Sequence, residues 1–158
     1  MSRSVQLSDE LIEFAESGVS IMVGTCDAEL RPETMRCGGA QVAADRQHVT
    51  VWVNAELAQR TLANLQVNPR IAVVFTRPVD HRSVQLKGEL VEVRPANEEE
   101  RVLSDRHLAG FVEQLYCIGM PRAVTRRLRF WPGMAITFVA TELFHQTPGP
   151  GAGQRLTP

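Results

Sequence analysis

Arginine is the residue type in this sequence best suited to holding a ligand. Arg60 and Arg82 stand singly, and Arg122, Arg126, Arg127 and Arg129 form a short run. A guanidinium presents a planar fork of donors that fits phosphate or carboxylate. By position alone, Arg60 and the run read as solvated helix faces and Arg82 as an edge-strand charge. The sharper use is an anion: a phosphate-bearing cofactor, an anionic substrate or a partner's acid. The remaining chemical groups are scattered. His48, His81, His107 and His145 form no HExxH pattern, and Cys26, Cys37 and Cys117 form no CxxC, so nothing points to zinc or an iron–sulfur cluster. GxGxxG, GxxxxGKS/T and GxSxG segments are all missing. Either the protein is not an enzyme, or a cofactor carries its chemistry.

The chain that positions these groups has 158 residues and a formal charge of −1. That length fits one domain, residues 1–146, followed by a Pro/Gly-rich tail at 147–158. The balanced charge and few aromatics argue against nucleic acid as a partner. No apolar run reaches the ~20 residues of a membrane helix, and the first fourteen residues hold no signal-peptide core. The expectation is a cytoplasmic protein with reduced, buried, structural thiols. In a hairpin around residues 27–31, Cys37 falls opposite Met22, and Cys26 lies too far along to bridge to it.

Hydrophobic periodicity supplies the elements. Ser8 caps a short helix over 8–17, and Gly18 stops it. Residues 19–26 and 33–42 read as paired strands, and 48–53 alternates with a period of two. The spacing over 56–67 is helical and ends at Asn68–Pro69, because the residue before proline avoids the α region. Residues 71–75 read as a strand buried on both faces. The strand over 82–93 changes parity, which a bulge at Gly88 explains. Residues 95–116 are helical, with Gly110 dividing them in two, and a short helix over 121–129 precedes a last strand at 134–144. Trp52 reads as core or dimer interface. Six strands linked mostly by short turns imply a mainly β, α+β fold: an antiparallel barrel with helices at its margins.

From His48 to Gly88 the chain reads HVTVWVNAELAQRTLANLQVNPRIAVVFTRPVDHRSVQLKG. The order of strand, basic residue at a helix start, Asn-Pro, buried strand and Arg-Ser strand start resembles the pyridoxamine 5′-phosphate oxidase-like family of FMN-binding split β-barrels. The hairpin ending MVGTCDAELRPETM resembles the family's first two strands. The resemblance implies a six-stranded antiparallel Greek-key split barrel with flanking helices, working as a homodimer. It places the FMN phosphate at Gln59, Arg60 and Thr61, and a contact from the neighbouring strand at Arg82 and Ser83. Met35, Arg36 and Cys37 would run along the isoalloxazine, and Val53 and Asn54 would complete the set. The oxidases carry an arginine at the Met35 position, so Arg36 is one residue out of phase.

Two departures limit the activity implied. The region matching the oxidases' substrate lysine is Gly38–Gly39–Ala40, and RLRFWPG lacks their Arg-x-His pair, so pyridoxamine phosphate oxidation is not expected. What the resemblance leaves is an FMN-dependent oxidoreductase of unassigned substrate. Its alternatives are a deazaflavin- or haem-binding relative, the latter needing an axial histidine, or a non-enzymatic flavin-binding sensor or stress protein. The tail at 146–153 resembles tails that wrap over a partner subunit.

Overall fold

The computed structural model describes residues 4–156. Helix α1 (Asp9–Glu16) starts where Ser8 accepts a hydrogen bond from the Leu11 N–H, with Asp9 and Glu10 in its first turn. Strands β1 (Ser20–Cys26) and β2 (Pro32–Arg36) form a hairpin, and β3 (Ala40–Val42) and β4 (His48–Asn54) form a second. Helix α2 (Gln59–Val67), strands β5 (Arg70–Thr76) and β6 (Ser83–Pro95), helices α3 (Glu98–Cys117) and α4 (Arg122–Thr125), and strands β7 (Gly133–His145) and β8 (Arg155–Leu156) complete the chain.

All pairings are antiparallel, in the order β2-β1-β5-β6-β7-β4-β3, with β8 on β7. The run β4-β7-β6-β5 has Greek-key order, with α2 and α3–α4 inserted in two of its connections. The sheet is an open, split barrel, mainly β with four helices. It has eight strands where the sequence pattern shows six. One addition is β8. The other arises because the single strand read over 33–42 is broken at 37–39: β2 lies on one edge of the sheet and β3 on the other.

Those three residues span the split. The Cys37 N–H donates to the Ile21 carbonyl at 2.9 Å, on the β1 side. The Gly38 N–H donates to the Trp52 carbonyl at 2.7 Å, and the Trp52 N–H returns to the Gly39 carbonyl at 3.3 Å, on the β4 side. The two glycines leave room for their neighbours. A Cβ on Gly38 would fall 2.4 Å from the Phe130 ring, and one on Gly39, whose φ is +152, 2.9 Å from the Trp52 ring. Trp52 is fully buried, so its reading as core holds. Helix α3 clamps the crossing. Ser104 donates to the Gly38 carbonyl at 2.9 Å, and His107 Nε2 lies 2.8 Å from the Val19 carbonyl. A carbonyl only accepts, so Nε2 carries the hydrogen, and Nδ1 is a buried acceptor with no partner.

Inside the barrel, Ile21 and Val23 of β1 meet Val73 and Phe75 of β5 and Leu86 of β6. The alternate residues Met22, Gly24, Ala72 and Val74 face outward and are only half-buried, so β5 is buried on one face and not on both. The parity change of β6 comes from a bulge at Val91, skipped between Leu90 and Glu92, and not from Gly88, where the extra residue is Thr141 on the facing β7. Other expectations change. Met22 pairs with Arg36, one residue short of Cys37, because Asp27 ties down a tight turn through the Glu29 and Arg31 N–H groups. Gly110 lies inside an unbroken α3. Its role is close approach, since a Cβ on Gly18 would come within 2.8 Å of the Gly110 backbone. Among the described residues, no helix is long and apolar enough to cross a membrane.

Two outcomes follow from this packing. A Cβ on Gly88 would stand 2.1 Å from the Val139 carbonyl, a backbone atom that cannot rotate away. Gly88→Ala therefore costs about 1–3 kcal/mol, read by urea unfolding. Burial holds the His107 pKa below its ordinary 6.5. As pH falls below 6.5, the unfolded imidazole takes up a proton that the folded one refuses, and stability drops until pH reaches the lowered folded value. The slope in that window approaches at most about 1.4 kcal/mol per pH unit. Unfolding curves at pH 7.5 and 5.5 show this loss in the wild type, and His107→Gln abolishes that component.

Candidate functional site

The local sequence leaves the start of α2 open. Its N-cap is Ala58, which has no side-chain acceptor, and its first turn holds no acid. Helix α3, in contrast, has a full capping box from Asn97 and Glu100 and three acids in its first turn. An uncapped helix start presents backbone N–H groups and positive dipole to whatever lies beyond it. Arg60 is the second residue of α2. Its side chain is 60% exposed and reaches Glu33 of β2 at 3.4 Å. Gln59 is also exposed, whereas Thr61 turns inward and is buried.

Asn54 does not cap α2, whose first residue is Gln59 and not Glu56. It closes the turn before the helix: Oδ1 accepts from the Glu56 and Leu57 N–H groups at 2.9 and 3.1 Å. Its amide nitrogen donates to the Arg129 and Trp131 carbonyls, both at 3.3 Å. Val53 is buried beside it and pairs with Met134.

Arg82 and Ser83 lie at the other end of the sheet. Arg82 bonds Glu10 at 2.6 Å and stacks over Phe14, 4.7 Å from the ring centroid. Ser83 exchanges a hydrogen bond with Thr76 at 2.9 Å, and its N–H donates to the Thr147 hydroxyl. Thr76 in turn pairs with Ser20 at the start of β1, while Glu33, the partner of Arg60, pairs with Thr25 near the end of β1. A strand of this length spans about 20 Å at ~3.3 Å per residue. One chain therefore does not bring Arg60 and Arg82 together.

The second strand is arranged as the alternation requires. Arg36 faces out, bonds Ser20 at 2.9 Å and lies over the Phe111 ring. Met35 packs against the core, and Cys37 is buried there, its thiol pushed up to about 12 by desolvation. The three thiols are free, but only Cys37 is buried. Cys26 is half-buried and accepts from Asn68 Nδ2 at 3.1 Å, and Cys117 is exposed. The tail folds back on its own chain. His145 pairs with Gln154 and Gly153, and β8 joins β7.

An open groove of about 650 Å³ runs along the outer face of the sheet. Gly24, Ala72 and Gly88 contribute a floor without large side chains, and Glu33, Thr34, Lys87 and Glu142 stand along it. Glu33 joins the groove to Arg60. The sequence pattern shows nothing of this groove, because Gly24 and Ala72 come from different strands and stand side by side only through the β1–β5 register. No group of three His, Cys, Asp or Glu able to hold a metal occurs among the described residues.

A family model described as pyridoxamine 5′-phosphate oxidase matches residues 7–127. The chain belongs to that family. No curated protein matches it in sequence. HupZ of Group A Streptococcus shares its fold at TM-score 0.58 and 14% identity, over 94% of this chain and 100% of that one. An F420 reductase does so at 0.58 and 13%, over 88% and 98%. An FMN-binding protein of Syntrophomonas wolfei does so at 0.50 and 14%, over 85% of each. For this member of the pyridoxamine 5′-phosphate oxidase family, the matched span contains β1 to β6 and both Arg60 and Arg82, so both ends of the outer face lie within it.

Proposed function

We propose that this protein is an FMN-binding oxidoreductase that works as a homodimer in a reducing, cytoplasmic compartment. The observation that carries the reading is the open N-terminus of α2 with Arg60 exposed beside it. That is a phosphate-binding arrangement: free helix donors, positive dipole and one guanidinium, with no competing acid in the first turn. Arg60 and the N–H groups of Gln59 and Thr61 hold the cofactor phosphate. When bound, FMN supplies hydride and single-electron chemistry, and the chain's residues bind and orient it.

The separation of Arg60 from Arg82 supports the homodimer. A second copy, related by a two-fold axis across the outer face, sets its own Arg82 end against the Arg60 end of the first. Three free thiols fit a reducing compartment. The F420 reductase on the same scaffold makes a deazaflavin the second reading.

The deciding measurement is the absorbance of the purified protein and of its denatured supernatant. Released FMN supports the proposal, a deazaflavin spectrum moves it to the second reading, and a Soret band assigns haem. Colourless protein that also fails to bind added FMN overturns it. In titrations, Arg60→Ala weakens FMN by about 1.5–3 kcal/mol, the range for a hydrogen bond to a charged group, with an unchanged fold. Glu33→Gln acts in the opposite sense: it releases Arg60 from its ion pair and tightens FMN by up to about 1 kcal/mol.

A further inference from the structure

Asn54 is buried, and its side chain has no hydrogen-bonding capacity left for a ligand. Oδ1 accepts from the Glu56 and Leu57 N–H groups, and Nδ2 donates to the Arg129 and Trp131 carbonyls. Beside it the Ala55 N–H donates to the Pro132 carbonyl at 2.8 Å, and the Ala58 N–H to the Asn54 carbonyl at 2.9 Å. One amide thus joins two segments that are 75 residues apart in sequence. The first is the turn that ends β4 and sets where α2 begins. The second is the stretch that follows the arginine run and leads into β7.

We infer that Asn54 is the positioning residue of the α2 anion site, acting through the turn it closes and the 129–131 segment it braces, and not by touching the ligand. The two halves of the amide have separable tasks. Its oxygen fixes the turn, and hence the direction in which the first N–H groups of α2 point. Its nitrogen locks that turn to a backbone segment on the opposite side. Among the described residues, no side chain caps α2 itself. Aspartate keeps the acceptor but sets a carboxylate oxygen against two carbonyls, so it releases only the second contact. Alanine releases both.

This rests on reading α2 as the cofactor phosphate site, and the two are tested apart. Hydrogen exchange of the unliganded protein decides the coupling. In Asn54→Ala, the amides of Ala55, Glu56, Leu57 and Ala58 exchange at least tenfold faster than in the wild type, while β1 and β5 are unchanged. In Asn54→Asp, only the amide of Ala55, which donates to the Pro132 carbonyl, accelerates. Exchange at Ala55 that is unmoved by either variant, or acceleration spread over the whole sheet, overturns the inference. The second arm compares FMN with riboflavin, which lacks the phosphate. Asn54→Ala raises the FMN Kd at least tenfold and the riboflavin Kd less than twofold. Equal weakening of both, or of neither, overturns the positioning role. A wild type that binds neither flavin refutes the proposed function, and the exchange result still decides the coupling.

Discussion

Three residues carry the chain from one edge of the sheet to the other, and the rest of the barrel depends on that crossing. At 37–39 the backbone leaves β1 and joins β4, with hydrogen bonds to Ile21 on one side and Trp52 on the other. Only a segment without Cβ atoms at its last two positions passes between Phe130 and Trp52. The crossing is buried, so its polar groups need partners, and Ser104 supplies one for Gly38. That need explains why α3 carries buried Ser104 and His107 on the same face as Phe111. The helix covers the split between the β2 and β3 edges of the sheet.

The outer face follows from this closure. With the apolar halves of β1 and β5 turned into the barrel, their alternate residues are only half-buried. Small outward residues at Gly24 and Ala72 then make a shallow groove, where larger ones would fill it. Arg60 with Glu33 stands at one end of this groove, whereas Arg82 with Glu10 belongs to a separate cleft beside α1. Within one chain the two arginines are therefore kept apart by roughly the length of β1.

Much of this was readable from local pattern. Ser8 and Asn68–Pro69 act through rules that involve a few neighbouring residues, and each appears where those rules place it. What escaped depends on residues distant in sequence. The break at 37–39 looks like continuous strand until Trp52 and Phe130 are brought against it. Gly110 looks like a helix breaker until Gly18 is packed on it. Asn54 bonds carbonyls from beyond α4, while Ala58 stands at the N-cap of α2 four residues later. The family pattern singles out Arg60 and Arg82 as candidate basic residues. Their separation, and the pairing of Arg60 with Glu33, needed the strand register.

The bare start of α2 has a thermodynamic meaning for the whole molecule. A serine, threonine, aspartate or asparagine at an N-cap is worth about 1 kcal/mol over alanine, and this helix forgoes it. The deficit sits where an anion can cancel it, so occupancy of that corner becomes part of the folding equilibrium. On the proposed flavin reading, the free energy of folding would grow with the logarithm of one plus the ratio of free cofactor to its Kd, so that the capless corner would make the cofactor part of what holds the chain together.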